Sequence, residues 1–281
     1  MKKIVGGTYT GERSLYDLHD AYLENVVFGD GESPLKECSN LMLEGVTFSY
    51  KYPLWYGAHF KLNNCKFELM SRSGIWYTDD IEIKNSEIIC PKLFRRASNI
   101  VLENVHFEDA QETFWNSKNI RLKNVVVDKG DYMFLNCENI EIDNIKTNGN
   151  YAFDGSKNIK VTNSVINSKD SFWNTENVVV ENSIINGEYI GWNSKNLTFI
   201  NCDIESDQGF CYIEGLTLIN CRFKNTPLCF ERCSKINAEI NSFVDSIKNP
   251  YDGKIVVDSV GEIILDENIV DKSKVEIIVK H

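Results

Sequence analysis

Ser156-Lys157-Asn158-Ile159-Lys160-Val161-Thr162-Asn163 decides the fold, because close variants of it return every 19 to 21 residues. Copies begin at Ala97, Ser117, Cys137, Thr175 and Ser194. Taking the first apolar residue of each as an anchor gives Ala21, Leu41, Phe60, Ile81, Ile100, Ile120, Ile140, Ile159, Val178, Leu197, Leu216, Ile236, Ile255 and Val275. A period near twenty describes one small unit that cannot bury its apolar face alone and must stack on neighbours. The chain reads as a solenoid.

Alternate positions around the anchors, such as Ile159 and Val161, are apolar, which is strand spacing. Four residues after the anchor stands Asn at 25, 64, 85, 104, 124, 144, 163, 182, 201 and 220, with Gly45 in the same slot. Asn and Gly share tolerance of positive φ, so this slot is a bend, and stacked amides can bond along it. The column breaks near the end, where Asn241 comes one place late and Ser259 takes the slot. Each rung then reads as three short strands, with Phe28, Phe48, Phe67, Phe94, Phe107, Phe114, Phe134, Phe153 and Phe172 pointing inward. The expected fold is all-β, a single-stranded right-handed parallel β-helix of about 14 rungs with an Asn ladder and terminal caps. It is expected as one domain over residues 1–281, with an N-terminal cap at 1–20, regular rungs at 21–243 and irregular C-terminal rungs and cap at 244–281.

The net charge is −11, with acids scattered along the chain, which argues against nucleic acid as a partner. No segment approaches membrane-spanning length, so no membrane partner is expected. Nine cysteines without paired spacing, and a start at Met1-Lys2-Lys3 that lacks an apolar leader core, point to the cytoplasm. His19, His59, His106 and His281 form no cluster, so no metal is expected; no phosphate-cradling glycine loop or nucleophile elbow appears, so no cofactor is either.

One outward column differs from the rest. Five before the anchors stand Trp55, Trp76, Arg95, Trp115, Leu135, Asp154, Trp173 and Trp192, which include all five tryptophans. One place on come Tyr56, Tyr77, Arg96, Asn116, Asn136, Asn174 and Asn193. Flat rings beside amides suit an oligosaccharide, and Trp55, Trp76, Arg95, Trp115, Trp173, Trp192, Tyr77, Asn116, Asn174 and Asn193 are the candidate contacts. The same residue types suit a protein interface or a homo-oligomer, to which the outward Ile200 and Ile219 would also lend apolar surface. Composition and spacing leave both readings open. For catalysis the nearest candidates are Asp154, Asp131, Asp170 and Arg95, a set that would serve a polysaccharide lyase or a glycoside hydrolase. Asp154 and Arg95 are three rungs apart, roughly 14 Å, which is wide for one site.

The repeat with its Asn ladder resembles the pectin-lyase-like right-handed β-helix superfamily. The whole chain resembles one bacterial family within it, a domain of unknown function. The narrower likeness rests on Glu12-Arg13 with Leu15-Tyr16, on Leu35-Lys36-Glu37-Cys38, and on Gly187-Glu188-Tyr189 leading to Gly191-Trp192. It also rests on Lys248-Asn249-Pro250 with Gly253 and Val260-Gly261-Glu262. The resemblance implies the fold and, by superfamily analogy, a saccharide groove on the tryptophan face. The clustered Asp and the Arg-Lys or Gly-His-Gly patterns of the superfamily's enzymes are missing, so no catalytic residue carries over.

Overall fold

The computed structural model describes residues 1–280. Backbone contacts divide the chain into two units, Met1–Asn148 and Gly149–His281. In the first, the strands Lys2–Val5, His19–Glu24, Ser39–Glu44, Ala58–Asn63, Asp79–Ile88, Ser98–Phe107, Lys118–Val127 and Glu138–Gly149 stack in parallel. Their register runs Ala21, Leu41, Phe60, Ile81, Ile100, Ile120, Ile140, so the apolar anchors form one buried column. In the second unit Ile159, Val178, Leu197, Leu216 and Ile236 continue the same pattern in their own column. Each unit is a right-handed parallel β-helix.

Rings fill the interior as ladders. Phe94, Phe114 and Phe134 stack at 4.9 and 4.8 Å, with ring planes within 8° and 5° of parallel. Phe153 and Phe172 do the same at 4.9 Å. Fully burying one such side chain contributes about 1.5–3 kcal/mol. The identical spacing of successive rungs is what lets like residues stack.

Four expectations are corrected. Residues 1–20 are not a cap: Lys2 pairs with Ala21 and Ile4 with Leu23, while Thr8–Tyr9 pairs with Val27–Phe28, so a further complete turn stands there. Lys2 occupies an apolar slot, which hid the turn from a hydrophobic pattern, although Gly6 sits in the ladder slot at φ 65°.

The first side of the rung is not a regular strand. Strand pairing there is confined to short pieces, such as Ile75–Trp76 with Phe94–Arg95 and Asp170–Ser171 with Tyr189–Ile190. Elsewhere every second residue turns left-handed, as at Glu112, Phe114 and Asn116, with φ 52°, 69° and 55°. Their N–H groups still reach the adjoining rungs, Phe114 to the Phe94 oxygen and Asn116 to the Leu135 oxygen, both at 2.9 Å.

A second ladder was missed. One place before the anchors, Asn139 donates to Asn119, Asn119 to Asn99 and Asn99 to Asp80, and Asn196 to Asn177 to Asn158. These residues are left-handed as well. The signal was present in the repeat itself, as the Asn of Ser-Lys-Asn-Ile.

Near the C-terminus the register shifts. Ile236 pairs with Gly253 and Ala238 with Ile255, so Ile255 is two places off the anchor column. A Cβ on Gly253, at φ 120°, would stand 2.2 Å from the Ile236 carbonyl oxygen, which excludes any side chain from that slot. The main ladder does not break there. Asn241 donates to Asn220 at 2.7 Å across a bulge, and Lys280 Nζ ends the column by donating to Asn241 at 3.0 Å.

Candidate functional site

In the first unit the outward column is a closed stack of π systems. Trp55 lies on Trp76 at 5.4 Å and 9°, and the Arg95 guanidinium sits 4.4 Å from Trp76 and 4.6 Å from Trp115. Beside it Tyr56 lies on Tyr77 at 4.8 Å and 4°. The indole N–H groups are spent on the next rung: Trp55 donates to Ser73, Trp76 to Lys92 at 3.0 Å and Trp115 to Tyr132 at 2.7 Å. The stack therefore turns ring edges, not ring faces, to solvent. That geometry comes from the rung spacing, because residues five before successive anchors fall directly over one another.

Cations gather on this flank in a chain whose net charge is −11. Lys36 lies 5.4 Å from the Tyr56 ring and Arg96 5.8 Å from Tyr77. Arg95 and Lys92 share Glu112, at 3.4 and 2.9 Å. Among the described residues Arg72 and Arg96 have no carboxylate partner, and both are exposed. Arg95 is thus engaged by Glu112 and not by Asp131.

In the second unit Trp173 and Trp192 lie 5.7 Å apart at 30°, and Tyr212 covers Trp192 at 4.5 Å. Asn174 donates to Asp154 at 2.8 Å, and Asn193 to Asn174 at 2.9 Å. Asn116, Asn174 and Asn193 are left-handed turn residues, so this column is a further ladder as well as an exposed one. Sequence reading took these amides for ligand contacts; two of them are bonded along the column.

Asp170, one of the catalytic candidates, is only 4% exposed. Its Oδ1 and the Oγ of Ser171 make no hydrogen bond among the described residues. Burial, then the charge of Glu188, pushes its carboxyl above the ordinary value of 3.8, while Lys169 pulls it back. The folded value exceeds the unfolded one, so folding disfavours ionisation. The penalty is absent below the unfolded value, grows as pH rises through the folded one and stays constant above it. Asp170→Asn is accordingly expected to raise the unfolding temperature near about pH 7 and to change it little near about pH 3. An unchanged or lower midpoint at neutral pH would contradict this.

No thiol nucleophile is presented. All nine cysteines are free and buried, and burial pushes the thiols of Cys65, Cys90 and Cys211 up to about 12. The Cys202 thiol donates to the Val180 and Ile200 oxygens and the Cys221 thiol to those of Phe199 and Ile219. Three histidines pair with aspartates, His19 with Asp17, His59 with Asp80 and His106 with Asp128, at 2.8–2.9 Å. His281 lies outside the described residues. Among the described residues no three His, Cys, Asp or Glu are grouped to hold a metal ion. No helix is long and apolar enough to cross a membrane.

Several solved structures are similar at low identity. PfbA, a surface adhesin of Streptococcus pneumoniae, is 11% identical over 94% of this chain and 83% of its own, with a TM-score of 0.39. The periplasmic alginate epimerase AlgG is 11% identical over 99% and 76%, with a TM-score of 0.35. The A-module of the mannuronan C-5 epimerase AlgE6 of Azotobacter vinelandii is 12% identical over 99% and 86%, with a TM-score of 0.27. Likeness at that level assigns neither activity nor ligand. No curated protein matches the chain by sequence. A family match does span nearly all of it, residues 2–278, and the chain belongs to the family described as "Protein of unknown function (DUF3737)".

Proposed function

We propose that the aromatic flank of the first unit binds an anionic oligosaccharide or polysaccharide. The observation that carries this reading is the local excess of cations, with Arg72 and Arg96 lacking carboxylate partners, beside paired tyrosines on an acidic chain. Carboxylate or sulfate groups supply what the arginines lack, and sugar hydroxyls suit tyrosine hydroxyls and ring edges. Nucleobases need open ring faces, and both faces of Trp76 are taken by Trp55 and Arg95, as is one face of Trp115 by Arg95. Binding without bond cleavage fits best, since Arg95 is neutralised by Glu112 and no second carboxylate joins it. The nine reduced thiols favour the cytoplasm as the compartment.

The test is titration with oligogalacturonate, neutral dextran oligomers and polyuridylate, followed by tryptophan emission at two salt concentrations. The uronate alone is expected to bind, more weakly at high salt. Arg72→Ala with Arg96→Ala is expected to weaken it at least about tenfold, as each charged hydrogen bond contributes about 1.5–3 kcal/mol. Equal binding of dextran or polyuridylate, or no binding of the uronate, overturns the reading. A second reading, lateral self-association, is favoured by Ile219, which stays 43% exposed next to Ile200 in the second unit. Sedimentation of the pure chain, with Ile219→Lys as control, separates the two.

A further inference from the structure

A carboxylate withdrawn from water is ordinarily met by a cation or by hydrogen-bond donors, and one that is not calls for an explanation. Asp170 is such a group. Its Oδ1 is buried without a partner. The neighbouring ammonium, Lys169, is committed to Glu188 at 3.2 Å. Asn150, in the rung below, accepts the Asp170 N–H at 3.2 Å on its side-chain oxygen, and its amide makes no bond to the Asp170 Oδ1.

Aromatic residues stand next to Asp170 in the adjoining rungs. Register sets Tyr189 beside Asp170 in the next rung, and the Asn150-Tyr151 turn adjoins it in the preceding one. Trp173, three residues on in the same rung, meets Tyr151 at 5.2 Å and 89° and Tyr189 at 6.4 Å and 73°. Trp192 closes on Tyr189 at 6.0 Å and 87°. In the first unit the indoles are stacked flat; here the rings meet edge to face. Aromatic faces attract cations, and a buried carboxylate next to aromatic residues in the adjoining rungs lacks a counter-charge.

We propose that Tyr151, Asp170, Trp173 and Tyr189 form a binding site for an organic ammonium ion that carries at least one N–H. The N–H satisfies the free Oδ1, and the alkyl part lies against the rings. A divalent metal fits poorly, because it needs about six oxygen ligands and no group of three acids, histidines or cysteines is gathered here. Entry is from the solvent side, where Tyr151 and Tyr189 are half-buried. The site is independent of the arginine flank and of any saccharide bound there.

Titration of the full chain with butylammonium at constant ionic strength, read by tryptophan emission, tests this. A saturable response is expected, with sodium chloride giving none. Tetramethylammonium, which has no N–H to donate, is expected to bind at least about tenfold more weakly. Asp170→Asn and Asp170→Leu should each lose at least about tenfold in affinity while circular dichroism and unfolding temperature show a folded chain. Arg72→Ala with Arg96→Ala should leave butylammonium binding unchanged. The proposal is overturned if Asp170→Asn binds butylammonium as the wild type does, or if the wild type responds no differently to butylammonium than to sodium.

Discussion

Phe114→Ala is expected to cost about 3–5 kcal/mol of stability, the range for emptying a well-packed aromatic site. Phe114 is fully buried. It is clasped face to face by Phe94 and Phe134 and touched edge-on by Phe107 at 6.2 Å. The surroundings cannot collapse into the gap, because the rung is tied in place: the Phe114 N–H bonds to the Phe94 oxygen and the Phe134 N–H to the Thr113 oxygen. Backbone conformation adds a second expectation. Phe114 sits at φ 69°, where an L-residue pays about 1–2 kcal/mol and glycine pays nothing. Phe114→Gly should therefore be no less stable than Phe114→Ala, the reverse of the usual order in a strand, where glycine loses about 0.5–1 kcal/mol to alanine. Urea unfolding of wild type and both variants measures this, with the emission of the adjoining Trp115 as reporter. A loss below about 1 kcal/mol for Phe114→Ala would mean the ring ladder adds little cohesion.

Asn104→Ala is the next largest, at about 2–3 kcal/mol from two separable causes. Asn104 donates to Asn85 at 3.1 Å and accepts from Asn124 at 3.0 Å, so its loss opens the amide column on both sides. Its φ of 55° also suits asparagine far better than alanine. Asn104→Gly keeps the conformation and loses only the amide bonds, at about 0.5–1.5 kcal/mol each. Alanine is thus expected to be clearly worse than glycine in thermal and urea unfolding. Equal losses would assign the whole effect to the side-chain bonds and none to the bend.

The ladder and the anchor column were legible because both depend on identity at a fixed period, which stacking imposes on every rung. The second ladder, through Asn99, Asn119 and Asn139, was equally periodic and was overlooked for lack of a reason to expect a second left-handed bend. The turn at residues 2–9 escaped because Lys2 stands in a slot that is apolar in the following rungs. Ile255 was misplaced by two residues, a shift that keeps inward residues inward and so leaves no trace in a pattern of alternation.

From the amino-acid order alone came the coil, its period, its buried phenylalanines and the gathering of every tryptophan on one side, since these are local rules repeated along the chain. Tertiary structure decided what that side presents. Stacking between rungs covers both indole faces of Trp76 and one each of Trp55 and Trp115, and spends their N–H groups. Asp170 is buried, while its register partner in the next rung, Tyr189, is half-buried. Both outcomes depend on which side chains meet across a gap of twenty residues, and on the angles at which they meet, which no reading of neighbours along the chain contains.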